Sequence, residues 1–516
     1  MDDDYKSAKE AFVSDLTGSS IIYVNLVSSA AVASLLLHAA VRSRFNIKPN
    51  LFIEWLLLVV PLLLSMTVFA LQPTRLYSSL LFAAVVIQTT LPSRPEAPLL
   101  SDSNTNVQDS PQSHSRQRSD GPAPNSGSRH VTIRPLPALT IYRAHMMLMT
   151  MLAILAVDFP VFPRKLAKCE TFGVSLMDIG VGSFVFSQGV VSAIPILKDP
   201  QRLAMPVVPK ILSVSKKVLP LVVLGIMRLI SVKGTDYPEH ESEYGRHWNF
   251  FFTMAAVPIL EVLCHKAMTH ASISFVGFSI ALVHQLALSL TPLQEYTLNA
   301  GRIGIISSNK EGLVSLLGYL AMHLIGLATG TVLLPASPSE FRRLKRSLFQ
   351  KSKEENPDAN SNKPRFRQND KIAIELFSYA ALWWISLGIV SVLNVGGGVS
   401  RRLANLPYVL WVCAYNTSFI LCYLISDVMF YSRIPSNQSS EISGGKRVST
   451  PSILLDAINR NGLVLFLAAN ILTGLVNLSV RTMYASDAFA MVILLSYSFA
   501  ICGLAWIAKT RRLWLP

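Results

Sequence analysis

The sequence is poor in charge. Only 15% of its 516 residues are Asp, Glu, Lys or Arg, against roughly 25% in an ordinary soluble domain. A soluble chain of this length would divide into several domains of normal polarity, so a soluble protein is excluded. Cysteine is scarce as well. The five present (Cys169, Cys264, Cys413, Cys422, Cys502) show no CxxC spacing and mostly fall in apolar runs. That argues against a disulfide framework and a zinc site and leaves small packing residues. No GxGxxG, P-loop, HExxH or GxSxG motif stands in a fitting context. The glycine run Gly396–Gly398 has no strand before it and reads as a flexible turn. No His, Cys and carboxylate group has ligand spacing, so no metal is expected. No cleavable signal peptide is expected either, since residues 1–19 are polar and acidic and the first apolar run is long enough to span.

Apolar residues are abundant, at 51% of the chain, with mean hydropathy +0.41. They gather in thirteen runs, near 20–41, 51–72, 76–91, 138–157, 172–194, 212–232, 247–264, 272–290, 312–334, 372–393, 405–432, 462–480 and 486–508. A spanning helix needs roughly 17–25 such residues. The expected fold is therefore an all-α polytopic membrane protein of about thirteen transmembrane helices, with residues 20–508 as one multi-helix domain. The third run is short, and the sixth is expected to begin after Lys216 and Lys217. Polar stretches at 92–137, 335–371 and 433–460 read as disordered loops.

The net charge is +15, and its placement matters more than its size. With the N-terminus outside the cytoplasm, 31 of the 46 Lys and Arg lie on the cytoplasmic side and 13 on the other. The positive-inside rule then gives a lumenal N-terminus and a cytoplasmic C-terminal tail, 509–516. The excess charge becomes a topology signal with attraction to anionic headgroups, not a nucleic-acid patch. In that topology the sequons at Asn416, Asn437 and Asn477 are not glycosylated.

Ionisable groups within a bilayer are costly and mark functional candidates. The richest patch runs from Arg143 to Gln188. Asp158 ends the fourth apolar run, Pro160 and Pro163 stop the helix, and Arg164, Lys165, Lys168 and Glu170 follow. A carboxylate and an ammonium meeting there can take a proton from a hydroxyl and hold an oxyanion or phosphate. The bland alternative is a capping carboxylate with interfacial basic anchors. The other predicted lumenal loops add Arg246, His247 and Asn249, then Asn309 and Lys310, then Arg401 and Asn405; Asn470 and Asn477 share one face of the twelfth run. Cations for phosphate and amides for hydroxyls suit an anionic polyol headgroup. Single histidines and basic pairs at helix ends are more often packing residues and interface anchors. The intramembrane acids Asp178, Glu261 and Glu375 keep a transporter open as the rival reading, although no inverted repeat is visible. A non-catalytic scaffold, with Asp158 and Lys168 as an ion pair, is the third.

The run AILAVDFPVFPRKLAKCETFGVSLMDIGVGSFVFSQG resembles the signature region of the GPI inositol acyltransferase family, which has fungal wall-transfer and animal PIG-W branches. KEAFVSDLTGSS, EYGRHWNFFFT, SSNKEGLVSLLGYL, SRRLANLPYVLWVCAYN and NRNGLVLFLAANILTGLVNLS carry the resemblance along nearly the whole chain. The resemblance implies an enzyme of the endoplasmic reticulum membrane. It would transfer palmitoyl or a similar chain from acyl-CoA to the inositol 2-hydroxyl of glucosaminyl-phosphatidylinositol, and belong to a family that includes an antifungal target. The family's proposed catalytic pair falls on Asp158 and Lys168. Substrate contacts are then expected among Arg164, Arg246, His247, Asn249, Asn309, Lys310, Arg401, Asn405 and Asn470. Acyl-CoA is a co-substrate, no cofactor is bound, and no nucleic acid or obligate protein partner is implied; membrane lipids are the surroundings. An acyl-enzyme on Cys169 has no support in the resemblance.

Overall fold

A computed structural model describes residues 16–45, 47–90, 136–233, 243–349, 367–431 and 452–513, with Ala8, Ala11, Phe12, Ser14 and Ile133. The described residues are helical almost throughout, with two isolated β-bridges and no strand. The first part contains α1 (Ile21–Arg44), α2 (Leu51–Leu58), α3 (Val60–Met66), α4 (Pro73–Thr90), α5 (Pro137–Ala156), α6 (Leu176–Lys198) and α7 (Val207–Lys233). The middle contains α8 (Phe250–His270), α9 (Ile273–Leu290), α10 (Leu293–Asn299), α11 (Gly304–Ser308), α12 (Lys310–Leu333) and α13 (Glu340–Phe349). The last part contains α14 (Asn369–Val392), α15 (Leu406–Tyr431), α16 (Ile453–Arg460), α17 (Gly462–Ser479) and α18 (Asp487–Ile507).

Among the described residues ten helices are long and apolar enough to cross a bilayer: α1, α5, α6, α8, α9, α12, α14, α15, α17 and α18. The remaining three apolar runs are helical too, but with differences. The run expected over 51–72 breaks at Val59 into α2 and α3. Pro61 has no N–H, and its ring excludes the carbonyl four residues back, which explains the break. The helix α7 passes through Lys216 and Lys217 instead of starting after them, and both are exposed, so neither charge is buried. Two helices occupy stretches read as loops. α13 buries Phe341, and α16 buries Leu454, Leu455, Ala457 and Ile458; each has one apolar face to lay on the bundle.

At the centre lies α12, buried along nearly its whole length. It meets α6 through glycines. A methyl on Gly326 would stand 2.2 Å from the Phe186 carbonyl oxygen, and one on Gly189 2.0 Å from that of His323. Small residues at such a crossing let backbones approach where lipid gives no hydrophobic drive to association. Below the crossing, Glu261 of α8 bridges His265 at 3.2 Å and His323 of α12 at 2.8 Å.

Chain direction is legible from the ends. Tyr23 donates to the Ala70 carbonyl at 2.6 Å, and Arg44 to the Gln88 carbonyl at 2.6 Å. So α4 begins at the end where α1 begins and finishes where α1 finishes. Alternation then brings the segments 16–19, 157–175, 243–249, 300–311, 396–405 and 477–482 to one face. Hydrogen bonds among them join that face together.

Candidate functional site

The site is built on the loop between α5 and α6. Pro160 and Pro163 prevent a helix there. The chain instead wraps round Arg164, whose Nη2 donates to the carbonyls of Val157 (2.8 Å), Phe159 (3.1 Å) and Phe162 (2.8 Å). The guanidinium carbon lies 4.0 Å from the centre of the Phe12 ring, a cation–π contact. Burial lowers its pKa to about 10, and the charge of Asp158 resists that shift. Phe159, Phe162 and Leu166 fill the loop's underside.

Both edges of the loop are held. On one side, Ser19 N donates to Val174 O at 2.7 Å and Glu170 N to Leu16 O at 3.1 Å. Gly173 has φ +144°, and a Cβ there would stand 2.2 Å from the Thr17 carbonyl oxygen. Glycine alone suits that conformation and that approach. On the other side, Gly173 N donates to Val399 O at 2.8 Å, and Ser400 Oγ to Thr171 O at 2.6 Å.

Asp158 stands at the start of this loop and is 5% exposed. Its Oδ2 accepts from Asn477 Nδ2 at 2.8 Å, and Asn477 Oδ1 accepts from Thr482 Oγ1 at 3.1 Å. Lys168, at the far end, is 40% exposed and places Nζ 2.6 Å from Glu243 Oε1. Glu243 lies 3.6 Å from Arg401, which donates to Asp178 Oδ1 at 2.6 Å. Asp178 Oδ2 accepts from Ser175 Oγ at 2.7 Å and Cys169 N at 3.0 Å. The expected pair is thus held in two networks, one through α17 and one through Glu243.

Electrostatics follow from that chain of charges. Burial alone would raise the Glu243 carboxyl, but Lys168 and Arg401 outweigh it and hold the pKa at about 2. Burial likewise opposes the charge on Arg401, and Glu243 and Asp178 reverse the balance. The Cys169 thiol is pushed up by burial and then by the Asp178 charge. A thiolate there is disfavoured, which removes the nucleophile an acyl-enzyme would need.

The other sequence candidates divide by what their side chains do. Asn249 caps α8, accepting from Phe251 N at 3.0 Å, and donates to Gly225 O at 2.9 Å. Asn405 caps α15 and donates to Gly398 O at 2.7 Å. Asn309 accepts from His247 N at 2.8 Å, and buried Lys310 donates to the Ala300 carbonyl. Arg246 and His247 are exposed on the same face as Lys168. Asn470 is exposed on α17 and donates to Phe466 O at 2.7 Å, two turns from Asn477. Sequence reasoning noted Asp178 and Asn477 without placing them at the site, and Glu243 stood only as the first residue of the EYGRHWNFFFT block. Their signal was the cost of a polar group in an apolar run or at its edge.

Gln188, in the middle of α6, donates to Met254 O in the first turns of α8 at 2.9 Å. The rings of Phe251 and Phe466 lie 6.3 Å apart. From Phe466 to Asn477 is three turns of α17, about 16 Å. Phe251, in the first turn of α8, thus packs beside a residue that far along α17 from the partner of Asp158. Phe184 and Phe250, 6.2 Å apart, add a second pair of apolar rings.

Comparison with known proteins finds one family along nearly the whole chain. The GWT1 family model matches residues 5–508. A GPI-anchored wall transfer protein 1 of Cryptococcus neoformans var. grubii is 38% identical, over 99% of each chain. That of Aspergillus fumigatus is 38% identical over 98% of this chain and 97% of its own. That of Candida albicans is 33% identical over the whole of both chains.

Proposed function

Since the chain belongs to the GWT1 family, with its role in GPI-anchor biosynthesis, we propose that it is an acyl-CoA-dependent O-acyltransferase of the endoplasmic reticulum membrane. It moves a palmitoyl or similar chain from acyl-CoA to the inositol 2-hydroxyl of glucosaminyl-phosphatidylinositol, on the lumenal face. The observation that carries the reading is Asp158: a carboxylate 5% exposed, steadied by Asn477, on a loop fixed at both edges. Asp158 takes the proton of the inositol 2-hydroxyl as that oxygen attacks the thioester carbonyl carbon. Lys168 holds the oxyanion of the tetrahedral intermediate. The C–S bond breaks, and the departing CoA sulfur takes the proton from Asp158. Ester and free CoA leave, and the carboxylate is restored.

Glu243 holds the Lys168 ammonium at the rim, 2.6 Å from its carboxylate. Arg246 and His247, exposed on the same face as Lys168, are the groups we assign to the glycolipid phosphate and hydroxyls. The apolar rings of Phe184, Phe250, Phe251 and Phe466 suit an acyl chain. Against the transporter reading, Asp178, Glu261 and Glu375 are each held by a basic partner. The test uses purified protein in nanodiscs with palmitoyl-CoA and glucosaminyl-phosphatidylinositol, following acylated lipid by mass spectrometry. Wild type should form product, and Asp158→Asn should form none while keeping its thermal unfolding midpoint. Product from both variants would remove Asp158 as the base, and none from folded wild type would remove the reaction.

A further inference from the structure

The face opposite Asp158 carries a second polar feature. The chain leaves α12 at Leu333, turns through residues 334–339 into α13, and α14 starts beside that turn. Arg367 braces the turn by donating to the carbonyls of Leu333, Leu334 and Pro335, and Gln368 N donates to Ala336 O at 2.9 Å. Between α13 and α14 lies a cleft of about 500 Å³, within the roughly 300–1,000 Å³ typical of small-ligand pockets. Its polar lining is Ser337, Ser339, Arg343, Gln368, Lys371 and Ser378, with the Glu375 carboxylate, which Arg342 neutralises.

Charge there is unevenly compensated. Arg342 is matched by Glu375 at 2.8 Å, and Lys345 donates to the Ala271 carbonyl at 2.5 Å. Arg343 and Lys371 have no ion-pair partner among the described residues and are both exposed. The wall of the cleft continues along α14 through Ile374, 66% exposed, with Phe377, 64% exposed, a turn further on. On a helix of spanning length such apolar side chains face lipid tails. Two cations at the head of an outward-facing apolar wall reproduce the polarity profile of a phospholipid, with charge at headgroup level and hydrocarbon beneath.

We propose that the cleft between α13 and α14 binds the phosphate of an anionic phospholipid through Arg343 and Lys371, with the acyl chains along Ile374 and Phe377. The site is separate from acyl transfer, since it lies at the opposite end of α12 from the Asp158 face. The test uses full-length protein in mixed phosphatidylcholine and phosphatidylserine nanodiscs, with retained lipid measured by native mass spectrometry. Wild type should retain phosphatidylserine selectively. The double variant Arg343→Gln/Lys371→Gln should lose about 25-fold in apparent affinity, about 5-fold per interfacial cation. A control pair on the same face outside the cleft, Arg511→Gln/Arg512→Gln, should retain it. Equal retention by wild type and the cleft variant overturns the proposal, as does an equal loss in the control, which would assign the binding to the charge of the whole face. Displacement of the lipid by millimolar glycerophosphate would also overturn it, since the cleft would then take a soluble phosphate.

Discussion

At the scale of single residues, Asn477 and Glu243 are the supports of Asp158 and Lys168. A hydrogen bond to a charged group contributes about 1.5–3 kcal/mol. Asn477→Ala should lower turnover of palmitoyl-CoA by roughly 10- to 100-fold, with little change in KM; unchanged turnover would separate Asn477 from the reaction. Glu243 gives a pH signature. Its folded pKa, about 2, lies below the ordinary 4.5, so its contribution to stability is full above pH 4.5 and is lost as pH falls towards 2. The gap in unfolding midpoint between wild type and Glu243→Gln should be constant from pH 7 to 5 and close below 4.5. A gap that widened in acid would contradict the assignment. Sequence could not name these partners, because Asn477 lies 319 residues from Asp158 and Arg401 223 from Asp178. It could have separated some candidates by local rule: Asn249 and Asn405 precede apolar runs, where Asn is a favoured helix cap.

At the scale of elements, the apolar runs foretold the helices because a bilayer permits little else. What they could not foretell was interruption and closeness. Pro61 inside a uniformly apolar stretch breaks it, yet Pro195, Pro220 and Pro258 lie within continuous helices. Closeness rests on glycines such as Gly326 against α6, whereas a methyl added to Gly388 of α14 would meet nothing within 4 Å. Gly326→Ala should therefore destabilise by about 1–3 kcal/mol through overpacking, and Gly388→Ala should be neutral or slightly stabilising. Thermal unfolding in one detergent compares the two directly. Equal midpoints would remove close packing as the reason for glycine at Gly326.

At the scale of the whole molecule, charge and alternation make one prediction. The Asp158 face should be lumenal and the α13 face cytoplasmic. In sealed microsomes, a cysteine-free chain carrying Arg346→Cys should react with an impermeant maleimide, and one carrying Arg246→Cys only after permeabilisation. The reverse pattern would invert the orientation. The way the loop between α5 and α6 is held has a further consequence, for biogenesis. Its N-terminal brace, residues 16–19, is made before the loop itself, so that edge can close as soon as α6 is inserted. Arg401 and Asn477 emerge from the ribosome much later, and domains form in order of synthesis. A stalled or truncated chain would hold Asp178 without its counter-charge and Asp158 without its support. On the proposed mechanism the site is thus complete only near the end of translation, once the partners of both Asp178 and Asp158 have been made.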